Sequence, residues 1–142
     1  MYEDTLSRVD LFANLDKKEL QVLSHGCQER HFNAGATILS QGDSGVGLYV
    51  IKSGKVRILH TSSPDRAEEE IATAGAGDVI GEMSLLDDLP RSASVVAVDD
   101  VTALVLPIWE FRTTLQSHPD IGLKLLSVLS RRLRKAENRR HE

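Results

Sequence analysis

The chain has 142 residues, 41% hydrophobic and 27% charged, the composition of an ordinary globular domain long enough to bury one core. A net charge of −4, with no run of about 18 apolar residues, sets aside an electrostatic nucleic-acid binder and a membrane span. The single cysteine, Cys27, has no internal disulfide partner, and Met1-Tyr2-Glu3-Asp4 lacks the basic and apolar regions of a signal peptide. Both point to the cytoplasm. Cys27 itself reads as a small buried apolar residue, since nothing near it in sequence would lower its pKa.

The N-terminal stretch from Ser7 to Gln28 reads as helical. Val9, Leu11, Phe12, Leu15, Leu20, Val22 and Leu23 recur mostly at three- and four-residue steps. Asn14-Leu15-Asp16 breaks it. Asp16 then caps a second helix, with Glu19 placed as in a capping box and Gly26 as a stop.

From His31 to Pro107 the texture changes to short β-runs between turn signals. The expected strands are His31 to Asn33, Thr37 to Ser40, Leu48 to Lys52, Lys55 to His60, Glu69 to Ala72, Asp78 to Ile80, Ala93 to Val98 and Val101 to Leu106. Ala34-Gly35, Gln41-Gly42-Asp43, Ser53-Gly54 and Asp99-Asp100 supply turns, and Ser53-Gly54 reads as a tight hairpin. Leu48, Val50 and Ile51 read as core. His60 to Glu70 reads as a solvated loop. About eight short strands with regular turns predict a jelly roll or similar closed antiparallel body, whose concavity is a common ligand site.

After the sixth strand comes Gly81-Glu82-Met83-Ser84-Leu85-Leu86-Asp87-Asp88-Leu89-Pro90-Arg91-Ser92-Ala93-Ser94-Val95-Val96. Gly81 lets the backbone turn and a ligand come close. A short helical segment follows, and its free N-terminal amides favour an anion. Asp87-Asp88 and Pro90 end it. Arg91 is a fork of donors suited to phosphate, and Ser92 adds a hydroxyl beside it. Glu82 is repelled by a phosphate, so its carboxylate suits a sugar hydroxyl instead. The parts fit a small anionic ligand that also carries hydroxyls.

Pro107 ends the sheet region. A short helix is expected from Trp109 to Gln116, anchored by burial of Trp109 and Phe111. Ser117-His118-Pro119-Asp120 is a break. The last helix should run from Pro119 to Asn138, roughly 30 Å at about 1.5 Å per residue. Ile121, Leu125, Val128, Leu129 and Leu133 form an apolar stripe along it. The basic run from Arg131 to Arg140 reads as a solvated helix end favoured by the helix dipole. The five histidines are scattered, which argues against a jelly-roll metal enzyme.

The pattern G-E-M-S-L-L-x-x-x-P-R-S-A-S-V resembles the phosphate-binding cassette of cyclic nucleotide-binding domains, the family of catabolite activator proteins, protein kinase A regulatory subunits and cyclic nucleotide-gated channels. The resemblance implies an α+β fold over residues 1–142, taken as one domain. Its parts are N-terminal helices over 1–30, an eight-stranded antiparallel β-roll over 31–107 with the cassette at 81–96, and C-terminal helices over 108–142. It implies that Glu82 binds the ribose 2′-hydroxyl and Arg91 the cyclic phosphate. Gly81, Met83 and Ser84 match backbone positions that wrap the ligand, with Ser92 and Ala93 beside them. It also implies a C-terminal lid helix, for which Leu129, Arg132 and Leu133 are the candidates.

Gly42-Asp43-Ser44-Gly45-Val46-Gly47 resembles the family too, but Val46 stands where many members carry an acid that orients the arginine. Glu82 is therefore expected to hold Arg91 when no ligand is bound. The functional expectation is a non-catalytic sensor for cAMP, with no metal. The alternatives are a cGMP sensor or the ligand-binding half of a Crp/Fnr-like transcription regulator. The long helix is followed by no room for a helix-turn-helix before Glu142, so direct DNA binding is not expected. The expected partners are a second copy of the chain, through the last helix, or an effector protein.

Overall fold

A computed structural model describes residues 1–44, 47–82, 85–87 and 89–140, with only the backbone at 140. Among these residues the chain forms eight strands and four α-helices. The strands are β1 (Gln28–Phe32), β2 (Thr37–Leu39), β3 (Gly47–Ser53), β4 (Val56–His60), β5 (Glu69–Ala74), β6 (Val79–Ile80), β7 (Ser94–Ala97) and β8 (Val101–Pro107). They pair antiparallel in two four-stranded sheets, ordered β1-β8-β3-β6 and β2-β7-β4-β5. All eight expected strands are present, most of them shifted by a residue or two at their ends.

The continuous apolar runs of β3 and β8 have a direct structural cause. Successive side chains of a strand point to opposite faces, and here both faces are covered. Tyr49, Ile51, Ala103 and Val105 point into the space between the sheets, with Leu39, Val56, Val95 and Ala97 from the opposite sheet. Leu48, Val50, Leu104 and Leu106 point the other way, into a second core made with the helices. The expected core residues Leu48, Val50 and Ile51 are all buried, divided between these two compartments.

The helical layer starts with α1 (Glu3–Leu6), a 3-10 turn (Asp10–Phe12) and α2 (Lys17–Ser24). The helix expected to start at Ser7 is replaced here by these short pieces. Val9 is extended (φ −75°, ψ 119°), which lets Leu6, Val9, Leu11 and Phe12 all bury within a few residues. The capping box of α2 is present. Glu19 N–H donates to Asp16 Oδ1 at 2.8 Å, and Asp16 N–H donates to Glu19 Oε1 at 3.0 Å. Helix α2 ends at Ser24, and Gly26 instead lets α3 approach: a Cβ there would lie 2.8 Å from Glu110 Cβ.

Two helices close the chain, α3 (Ile108–Ser117) and α4 (Pro119–Arg140). In α3, Phe111 is 1% exposed and stacks near Phe12, with ring centroids 6.4 Å apart. Trp109 is not buried as expected; it is 59% exposed. Phe111 takes the inward face, and Trp109, two residues earlier, is carried to the outer face at about 100° per residue. In α4 the stripe is buried at Ile121, Leu125 and Val128, and Leu129 packs partly against the helical core. It ends there, and Leu133 is 62% exposed. The loop between β4 and β5 is exposed, though His60 belongs to β4 and Glu69 and Glu70 to β5.

Candidate functional site

The site forms where β6 leaves one sheet and β7 enters the other. Gly81 follows β6 with φ +79°, a conformation that favours glycine. The Arg91 guanidinium lies against it. A Cβ on Gly81 would sit 2.0 Å from Arg91 Nη1 and 2.9 Å from the Gly47 carbonyl oxygen. Arg91 is 6% exposed, and its Nη2 donates to Gly47 O at 2.5 Å. Its backbone is fixed as well. Arg91 N–H donates to Asp43 O at 2.8 Å, and Gly42 N–H donates to Arg91 O at 2.9 Å. The turn before β3 thus holds the arginine through main-chain atoms. Burial pulls the guanidinium below its ordinary pKa, and the nearby Tyr49 opposes that shift. An arginine so placed stays cationic at neutral pH.

Beside it is a cavity of about 460 Å³, within the range of small-molecule sites. Gly81, Glu82, Asp87, Arg91, Ser92 and Ala93 line its polar end. Leu39, Ile58, Val79, Ile80, Leu89 and Val95 form the apolar wall. The site thus joins a buried cation and a carboxylate at one end to a hydrocarbon slot at the other. Ser92 is exposed at the rim, and Ala93 is half-buried.

Glu82 does not hold Arg91 as expected. Its Oε1 accepts a short hydrogen bond from Arg132 Nη2 on α4. The same guanidinium donates to Asp10 Oδ2, from Nη2 at 2.6 Å and from Nε at 3.2 Å. The physical reason is position. Arg91 is turned toward Gly47 and lies against Gly81, while the Glu82 side chain reaches Arg132 on α4. Arg132 is raised above its ordinary pKa, first by the Asp10 hydrogen bond and then by Glu82, against its partial burial. Asp10 is held below its ordinary pKa by Arg132.

The structure therefore brings together Gly81, Glu82, Arg91, Ser92 and Ala93 around one cavity, with Arg132 joined through Glu82. Met83, Ser84 and Val46 lie outside the described residues, as do the free amides expected at 83–84. Within the described part, Leu85 N–H donates to Glu82 O at 3.3 Å. The described lid candidates Leu129, Arg132 and Leu133 do not line the cavity. Sequence reasoning missed the apolar wall, although Leu39, Ile58 and Val95 could have been found by period-two alternation on the predicted strands. It also missed Asp10, Gly42 and Asp43, which act through backbone geometry or distant pairing and leave no local signal.

Among the described residues, no group of three or more His, Cys, Asp or Glu side chains is placed to hold a metal ion. No described helix is long and apolar enough to cross a membrane.

The profile of the cyclic nucleotide-binding domain family matches residues 29–118. The chain belongs to that family. The domain is 39% identical over 127 residues to the "Cyclic AMP receptor protein" of Thermus thermophilus, covering 89% of this chain and 58% of the relative. It is 32% identical over 136 residues to the "CRP-like cAMP-activated global transcriptional regulator" of Mycobacterium tuberculosis, covering 96% of this chain and 60% of that protein. The chain thus spans about three-fifths of the length of these curated relatives. Among solved structures, it is similar to the N-terminal domain of a transcriptional regulator from Streptomyces coelicolor A3(2). That match has a TM-score of 0.85 at 38% identity and covers 95% of this chain and 94% of that one.

Proposed function

We propose that this domain is a non-catalytic sensor for a 3′,5′-cyclic nucleotide, with cAMP as its ligand. The observation that carries the reading is the buried Arg91 guanidinium, fixed at one end of an apolar-walled cavity with the Glu82 carboxylate close by. Arg91 takes the cyclic phosphate, and Glu82 accepts a hydrogen bond from the ribose 2′-hydroxyl. Gly81, Met83, Ser84, Ser92 and Ala93 wrap the phosphate and sugar, and the hydrocarbon wall receives the base. Among the described residues, that wall offers no charged or amide side chain to read a base edge. Adenine has fewer exocyclic polar groups than guanine and loses less on entering it. The Thermus and Mycobacterium relatives, whose names refer to cAMP, support the same choice.

Among the described residues of the site, none is a nucleophile with an adjacent base, so binding rather than turnover is the output we assign. Occupancy would favour whichever position of α4 binds the ligand better and so shift its population. Leu129, Arg132 and Leu133 are the residues through which α4 would meet the ligand. The cytoplasm is the assigned compartment, where the lone Cys27 stays reduced.

Titration calorimetry with cAMP and cGMP side by side tests the reading. Saturable binding of cAMP, tighter than cGMP, is expected. No heat or competition from either nucleotide at millimolar concentration would overturn it.

A second reading concerns the output. The relatives named above are longer than the match, and the Streptomyces domain belongs to a transcriptional regulator. On that reading the domain is the ligand-binding half of such a regulator, paired through α4, where Leu126 and Leu133 are both exposed. Analytical ultracentrifugation with and without cAMP tests the pairing, and a gel shift with this chain alone should be negative.

A further inference from the structure

Resting on the cyclic-nucleotide reading, we propose that Asp87 sets the charge specificity of the site: its carboxylate tolerates a singly charged phosphodiester beside Arg91 and disfavours a doubly charged phosphomonoester such as that of 5′-AMP. Asp87 lines the same cavity as Arg91, and Glu82 lines it too. Arg91 is the one cation among the described lining residues, so two carboxylates stand against one guanidinium. Beyond Glu82, Arg132 and Asp10 pair with each other outside the lining and together add no net charge.

The fold holds Asp87 in place from both sides. Leu85, two residues earlier, is 2% exposed in the helical core, and Leu86 packs partly against that core. On the other side, Pro90 forms a bridge with Ser44, and Arg91 N–H donates to Asp43 O at 2.8 Å. The span between is short, and Asp87 Oδ1 ties it further by accepting from Leu89 N–H at 3.2 Å. A half-buried carboxylate on such a tethered span is screened less than one in open solvent.

Coulomb energy scales with the product of the two charges. A cyclic phosphodiester carries one negative charge, whereas a phosphomonoester, with a second pKa of about 6, carries nearly two at neutral pH. An arginine alone would favour the dianion. Asp87 supplies the opposing charge, since Glu82 is engaged by the sugar hydroxyl. The monoester feels the Asp87 carboxylate twice as strongly as the diester does, so in affinity the penalty is squared. The site thereby separates the cyclic ester from the product of its ring opening by charge as well as by shape.

The test is competition calorimetry of the full chain and its variants at about pH 7.5, where the monoester is mostly a dianion. The ligands are cAMP, 5′-AMP and the methyl ester of 5′-AMP. The ester has the open ring of 5′-AMP and the single charge of cAMP. Asp87→Asn removes the carboxylate charge and keeps an amide oxygen to accept from Leu89 N–H. In that variant cAMP and the ester should each bind about 3-fold tighter than in the parent, the scale of one partly exposed charge contact, and 5′-AMP about 9-fold tighter, the square of that factor. Asp87→Glu keeps the charge and should leave the ratio of ester to 5′-AMP affinity within about 2-fold of the parent's. Equal gains for 5′-AMP and the singly charged ligands, no gain, or 5′-AMP that stays undetectable in parent and Asp87→Asn alike overturns the proposal while leaving the cyclic-nucleotide reading intact. An Asp87→Glu ratio shifted as far as that of Asp87→Asn overturns it too. Failure of the parent to bind cAMP overturns the cyclic-nucleotide reading, and this proposal with it. Melting curves, expected to match the parent, separate misfolding from a change of charge. Asp87→Ser, which also removes the charge and keeps an oxygen acceptor, repeats the test should Asp87→Asn fold poorly.

Discussion

Arg91 fills the space that any side chain at Gly81 would need, with Nη1 at 2.0 Å from the position of a Cβ there. The glycine and the arginine are thus one device: the absence of a side chain at one is the seat of the other. Gly81→Ala should displace the guanidinium and strain a backbone at φ +79°. The strain alone costs about 1–2 kcal/mol. A lowered melting temperature together with at least tenfold weaker cAMP binding is expected, read by calorimetry and thermal denaturation. Parent-like affinity would show that the guanidinium can be seated elsewhere.

Arg91→Leu separates binding from folding. Removing one partner of a buried charged contact typically costs roughly 2–5 kcal/mol, about 30-fold to several-thousand-fold in affinity. The ligand-free protein should not suffer comparably, because leucine carries no buried charge to desolvate. Loss of detectable cAMP binding with a melting temperature close to that of the parent is the expected pair of results. Unchanged affinity would falsify the assignment of Arg91 to the phosphate.

Trp109 and Phe111 should differ sharply. Phe111 is packed on Phe12 in the helical core, and Phe111→Ala should cost about 3–5 kcal/mol of stability. Trp109 is 59% exposed, and its replacement by alanine should change stability by about 0.5 kcal/mol or less. Urea denaturation of both variants checks the contrast.

Breaking the α2 capping box by Asp16→Ala should cost about 1 kcal/mol, through loss of the acceptor for Glu19 N–H. The box lies away from the cavity lining, so cAMP affinity should stay within about twofold of the parent's.

Burial pushes the Cys27 thiol from its ordinary 9.0 up to about 12, with Glu110 adding to the shift. The folded state therefore keeps a proton that the unfolded chain releases. The sign follows: stability is unaffected below pH 9.0, then falls as pH rises toward about 12. The slope from this group is at most about 1.4 kcal/mol per pH unit. Cys27→Ala should flatten that part of the alkaline stability curve in denaturant titrations. In the native protein at about pH 8, alkylation of Cys27 should be slow until denaturant is added.

The strands were legible because glycine- and aspartate-rich turns punctuate alternating or continuously apolar runs, and both patterns are local. The cassette was legible for the same reason, since Gly81, Glu82 and Arg91 are close in sequence. What escaped was set by distance or by orientation. The expected resting partner of Arg91 was Glu82, its neighbour in sequence, but Glu82 is paired with Arg132, 50 residues on. Trp109 and Leu133 carry strong hydrophobic character, and only their rotational positions on α3 and α4 leave both facing solvent. The N-terminal stretch had helical spacing throughout, yet burying Leu6, Val9, Leu11 and Phe12 together required a chain that bends.

Strands β3 and β8 act as a partition with a different tenant on each side. Neighbouring residues such as Tyr49 and Val50 answer to opposite compartments, one facing the roll interior and the other the helices. Close packing leaves such a wall little room to yield on one side alone. Bulk added inside the roll must therefore be felt by the helices behind it, and a tightened helical layer must press back on the slot. The two halves of this molecule share a drumhead.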